Sequence, residues 1–152
     1  METKDTKGTF KLAVLSPEQV TEDWEAIEFA ISESLPPDEL ALPTTLDAVY
    51  KGLMAGQYEC LMFFKNDTPY TTLILRYQVN EFSVTKQLFI YSMYSYVPIT
   101  NTDWFRIFTL LRDRAVANKC DKILAYSNVA RVFEIVKSLG GNIDFRLIQL
   151  EV

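Results

Sequence analysis

Three segments rich in β-branched and aromatic residues follow one another between residues 57 and 97, and amphipathic helical patterns stand on both sides of them. That succession constrains the fold most. QYECLMFFK (57–65) and YTTLILRYQVN (70–80) flank Asn66-Asp67-Thr68-Pro69, a turn by composition, and read as a hairpin; QLFIYSMYSYV (87–97) is a third strand ended by Pro98. Strands joined in this way make an antiparallel sheet, and the flanking helices must cover it.

Before the hairpin, TFKLAVL (9–15) alternates well enough for a short strand. Ser16 then serves as N-cap, Pro17 takes the first helical position, and Gln19 completes a capping box. Val20, Trp24, Ile27 and Ile31 fall on one face of the helix that follows, and Pro36-Pro37 stops it. A second helix carries Leu46, Val49, Tyr50 and Leu53 and ends near Gly56. After the three strands, Trp104, Phe108, Leu111 and Ala115 mark a helix from about Asp103 to Asn118. KILAYS (122–127) reads as a short buried strand, and Val129, Val132, Phe133, Val136 and Leu139 give a last helix closed by Gly140-Gly141. NIDFRLIQLEV (142–152) reads as a final strand, and residues 1–8 as a flexible tail. The predicted order is β-α-α-β-β-β-α-β-α-β, a mixed α/β (α+β) domain on a central, mostly antiparallel sheet spanning 1–152, with one crossover.

Composition removes several function classes. The chain has no histidine and two distant cysteines, Cys60 and Cys120, which argues against zinc sites and His-based triads; no metal is expected. No apolar run approaches the roughly 20 residues of a membrane span, and the opening METKDTKG is too acidic for a targeting peptide, so a cytoplasmic protein is expected. Residues 1–60 hold 4 lysines against 12 acids, a balance of −8, whereas residues 61–152 hold 11 bases against 8 acids, a balance of +3. That overall polarity argues against nucleic acid as partner.

The element order, and the stretch YVPITNTDW (96–104), resemble the Gcn5-related N-acetyltransferase superfamily. The parts that match are 87–97 as the strand feeding the turn, 98–103 as the turn, 104–118 as the helix it opens, then 122–127 and 129–139. The resemblance implies acetyl-coenzyme A as cofactor, its diphosphate held by bare main chain in a Gly-rich turn at a helix N-terminus. Here the glycine positions fall on Thr100, Thr102 and Trp104, whose indole at the mouth would compete for the diphosphate's space; Asp103 adds a carboxylate that repels it, and Thr102 and Asp103 read as helix capping. No tyrosine stands in Phe133-Glu134-Ile135-Val136 to serve as the family's general acid. The resemblance thus implies a fold relative without cofactor, a non-catalytic binding or structural protein. It is similar to small acetyltransferase-like proteins encoded by bacteriophages, some virion-associated, which would place it in the host cytoplasm or the virion. Tyr91, Tyr94 and Tyr96 are then candidate contacts for a protein partner or a second copy in a homo-oligomer, and the exposed-looking Phe82 is a further candidate. The alternative is an active N-acyltransferase with an atypical turn. In that case Val97, Asn101, Thr102, Asp103, Trp104, Phe105, Asn128 and Arg131 would hold acetyl-coenzyme A, and Arg106 could assist.

Overall fold

The computed structural model describes residues 9–145 and 148–152; the expected flexible tail at 1–8 lies outside them. The elements are β1 (Phe10–Val14), α1 (Pro17–Glu22), α2 (Trp24–Ser32), α3 (Pro43–Met54), β2 (Tyr58–Lys65), β3 (Thr68–Asn80), β4 (Thr85–Ser95), α4 (Asn101–Ala117), β5 (Lys122–Ala125) and α5 (Ala130–Ser138). The five strands form one sheet in sequential order β1-β2-β3-β4-β5. All neighbours are antiparallel except β4 and β5, which the α4 crossover makes parallel.

The capping box forms as the sequence requires: the Ser16 hydroxyl accepts from Gln19 N–H at 3.2 Å, and Ser16 N–H donates to Gln19 Oε1 at 2.8 Å. The helix expected from there to Pro36 is broken at Asp23 into α1 and α2. Thr21 Oγ1 donates back to the Pro17 carbonyl at 3.0 Å, a contact that bends helices. The apolar face survives the bend, since Val20, Ile27 and Ile31 are all buried. In α3, Gly52 lets the helix approach β2, because a Cβ there would stand 2.1 Å from the Tyr58 ring.

The hairpin turn is tighter than its composition suggests. Asn66 and Asp67 both have positive φ, 54° and 62°, so two residues close it and Thr68-Pro69 join the strand. Successive side chains of the strands point to opposite faces and divide the core in two. Cys60, Ile74, Phe89 and Tyr91 pack beneath α1–α3, while Leu61, Phe63, Leu73, Leu75, Leu88 and Ile90 pack against Ile107, Leu111 and Ala115 of α4. The result is helix, sheet, helix.

Three expectations fail in the C-terminal part. β5 is a half-exposed edge strand rather than a buried one. The only buried residue of α5 is Ile135, which the expected face omitted; Val129 is exposed, while Val132, Phe133, Val136 and Leu139 of that face are half-buried. The final strand does not form in the described residues of 142–152, where no neighbour supplies a ladder; Arg146 and Leu147 lie outside the description.

Candidate functional site

The site is the opening between β4 and β5. The two strands pair only from Gln87–Lys122 to Ile90–Ala125. At that point β4 carries a bulge: Leu75 opposes Ile90 and Ile74 opposes Ser92, leaving Tyr91 as the extra residue. Beyond it β4 runs on to Ser95 while β5 stops, and the start of α4 lies past the end of β4. A crevice beyond the carboxyl ends of parallel strands is where α/β folds bind ligands.

The N-terminus of α4 is built without glycine and without a positive φ. Thr100, with φ −73° and ψ 160°, is the N-cap, in place of the expected Thr102 and Asp103: its hydroxyl accepts from Asp103 N–H at 3.1 Å. Thr102 is exposed. The Asp103 carboxylate, only 1% exposed, turns inward. Its Oδ2 accepts from Lys65 Nζ at 2.7 Å and from the Tyr70 hydroxyl at 2.8 Å, and Arg106 stands 3.5 Å from Oδ1. Burial alone would raise its pKa, but the hydrogen bonds from Lys65 and Tyr70 outweigh burial and hold the carboxyl below its usual range. Tyr70 reaches it because a second bulge frees the residue from the ladder: Phe63 opposes Thr71 and Phe64 opposes Pro69. The phenol is raised in turn, by burial first and by Asp103 second.

These contacts revise two expectations about the mouth. Asp103 is neutralised from within, so it does not project its charge at an incoming anion. Trp104, 8% exposed, stacks on Phe108 with centroids 5.7 Å apart, so the indole fills the core rather than the opening. Arg131 of α5 reaches across and donates to the Asn101 Oδ1, tying together the starts of the two helices. Both residues belonged to the expected cofactor set, and the structure makes them each other's partners. Asn128 is exposed and does not cap α5, whose N-cap is Val129; Val97 and Phe105 are also exposed, at 54% and 47%.

Acetyl-coenzyme A fits this turn poorly. Of the N–H groups at the start of α4, Asp103's is taken by Thr100 Oγ1 and Trp104's by the Thr100 carbonyl. Asn101 and Thr102 remain, each with a branched or amide side chain where the fold's usual pattern has bare backbone, and the Asn101 amide is itself held by Arg131.

The tyrosines separate into two groups. Tyr91 is in the core, 9% exposed, and its hydroxyl donates to Glu39 Oε1. Burial, then that carboxylate, pushes its pKa up, which removes it as a base at neutral pH. Tyr94 lies farther along the strand and Tyr96 just past its end, T-shaped at 5.2 Å, and Tyr94 meets Phe29 of α2 at 5.9 Å. Phe29 is 55% exposed and Tyr96 39%, so an aromatic patch stands on the surface beside the opening. Cys60 is an inert core thiol, pushed up to about 12 by burial.

Sequence reasoning missed a cavity of about 470 Å³ beneath α3, lined among others by Glu39, Tyr58, Arg76, Phe89, Tyr91 and Tyr126. Its walls come from a loop, three strands and the chain after β5, and no local spacing announces such a gathering.

The sheet order, the β4–β5 opening and the helix that starts at its mouth define the Gcn5-related N-acetyltransferase fold. Solved structures agree. A ribosomal-protein-alanine N-acetyltransferase from Brucella melitensis biovar Abortus 2308 superposes with a TM-score of 0.67 at 10% identity, covering 95% of this chain and 99% of its own. An aminoglycoside acetyltransferase from an uncultured soil metagenomic sample, solved with sisomicin, gives 0.68 at 9% identity over 94% and 95%. A Trypanosoma brucei acetyltransferase gives 0.65 at 12% over 95% and 100%. No family model matches the chain, and no curated protein matches it in sequence. Among the described residues, no helix is long and apolar enough to cross a membrane.

Proposed function

We propose that this chain is an acetyltransferase-fold binding protein that does not turn over acetyl-coenzyme A. The observation that carries the reading is the start of α4: a side-chain-capped turn bridged by Arg131 to Asn101, where the fold's chemistry needs an open backbone cradle. The exposed aromatic patch of Phe29, Tyr94 and Tyr96 supports a protein as the ligand, since tyrosine and phenylalanine supply contact area at low cost in side-chain entropy.

The test has two parts. A ligand at 100 times its dissociation constant stabilises a protein by about 2.7 kcal/mol, which raises the melting temperature of a domain this size by several degrees. The reading expects no shift with coenzyme A or acetyl-coenzyme A, and a shift of that size overturns it. For the patch, Tyr94→Ser with Tyr96→Ser should lower stability by only about 1–2 kcal/mol, the lost contact of the Tyr96 hydroxyl with the buried Thr72 Oγ1 included, and abolish capture of the partner taken up by the wild type. A collapsed fold would instead assign both rings to packing.

A further inference from the structure

A groove of about 490 Å³ runs between α1–α2 and α3, lined by Thr21, Trp24, Glu28, Pro43, Asp47 and Tyr50. Helical spacing gathers them: Trp24 and Glu28 stand one turn apart on α2, and Pro43, Asp47 and Tyr50 follow at four and three residues along α3. The floor is aromatic and fixed. Trp24 and Tyr50 meet edge to face with centroids 4.8 Å apart, and because Thr21 Oγ1 donates to the Pro17 carbonyl, the Tyr50 hydroxyl donates to Thr21 Oγ1 at 3.0 Å. The walls are acidic. Glu28 is half-buried, and among the described residues no base pairs with its carboxylate; Asp47 meets the exposed Lys51 at 2.9 Å. The charge of the whole layer points the same way, since residues 16–54 hold nine acids and Lys51 is their only base. Among the described residues, none of β4, β5 or α4 lines the groove, which separates it from the opening between the strands.

We propose that this groove binds an arginine side chain carried by a basic segment of a protein partner. A guanidinium is the group that uses both the floor and the walls: its face lies on an indole or phenol ring, and its edge donates to a carboxylate in two prongs. A carboxylate held half out of water without a cation is costly, and an incoming guanidinium removes that cost. Glu28 is therefore the principal acceptor, and Trp24 the stacking face. Asp47 contributes less, because its exposed pair with Lys51, four residues on, must loosen, although such a pair is itself worth little. The partner is a segment of protein rather than a small cation because the acids continue past the groove. Glu18, Glu22, Asp23 and Glu25 are all exposed on α1 and α2 or between them, where they attract further basic residues on the same segment. The proposal does not depend on whether acetyl-coenzyme A binds.

Two-dimensional NMR on the full chain tests it, because its two indole N–H signals belong to Trp24 and Trp104. The probe is a short blocked peptide of alternating glycine and arginine. In one control citrulline replaces arginine, which removes the charge and keeps the shape; in the other lysine replaces it. The arginine peptide should shift the Trp24 indole saturably and leave that of the buried Trp104 in place. The citrulline peptide should shift neither, and the lysine peptide should bind at least about threefold more weakly. Glu28→Gln should weaken the arginine peptide about tenfold and Asp47→Asn about twofold, with signals far from the groove unmoved in both variants, so that a folding defect is seen directly. A Trp24 indole that stays in place at millimolar arginine peptide overturns the proposal. So does equal binding of the citrulline or lysine peptide, and so does a Glu28→Gln variant that binds as the wild type does, which would reduce the acids to a diffuse surface charge.

Discussion

The helices α4 and α5 flank the same short strand and are held in opposite ways. α4 buries Trp104, Ile107, Leu111 and Ala115 against the sheet and is fastened by charge at both ends. Near its start, Asp103 is tied to Lys65 and Tyr70; near its end, Arg114 forms a two-pronged contact with Glu59 at 2.9 and 2.6 Å, and the Tyr77 hydroxyl donates to the same carboxylate. α5 buries Ile135 and touches α4 through the exposed Arg131. The difference shows where this fold has been made rigid. The first turn of α4, which in an acetyltransferase must stay bare for a diphosphate, is here fixed by side chains, while α5 and the described residues of 142–152 bury little.

The largest effects should come from breaking α4. Leu111→Ala, at a fully buried position, should cost about 3 kcal/mol in denaturant unfolding, whereas Ile135→Ala should cost about half of that because its surroundings are already partly open. Asp103→Ala should also cost about 3 kcal/mol, since it leaves Lys65 and the Tyr70 hydroxyl facing a buried gap. The pH dependence has a definite sign. Asp103 titrates below its usual range when folded, so its stabilisation is present above the unfolded carboxyl pKa of about 4 and is lost as pH falls through the lower folded value. Acid unfolding of Asp103→Asn should therefore be flatter than wild type below about pH 4.

Smaller effects sharpen the contrast. Arg114→Ala removes a half-buried, two-pronged pair and should cost about 1–2 kcal/mol. Arg131→Ala removes an exposed contact and should cost under about 0.5 kcal/mol. Native-state hydrogen exchange should show the amides of α4 opening only with the whole molecule and those of α5 opening at lower free energy. Equal protection of the two helices would erase the distinction.

Much of the fold was legible because its signals are local. The Ser16 capping box, the apolar stripe from Val20 to Ile31 and the strands around Asn66-Asp67 each declare themselves within a few residues. What was illegible depends on distant neighbours. Asp103 reads as a cap or a repelling charge until Lys65 and Tyr70, 38 and 33 residues away, are seen to absorb it. Tyr91 reads as a surface tyrosine until Glu39, 52 residues away, closes over it. The alternation of the tail reads as a strand, but a strand needs a ladder, and the described residues of 142–152 have none. At the mouth, the missing glycines were plain in Thr100 and Thr102, but the bridge from Arg131 to Asn101 was not, because it joins helices whose approach only the parallel crossover determines.

Calorimetric titration of the purified chain with acetyl-coenzyme A tests the account most directly. A start of α4 that is capped and bridged predicts no saturable heat up to millimolar ligand, and the Arg131→Ala variant should not restore it while Thr100 and Thr102 remain. A dissociation constant in the micromolar range, with a heat that saturates at one ligand per chain, would contradict the account.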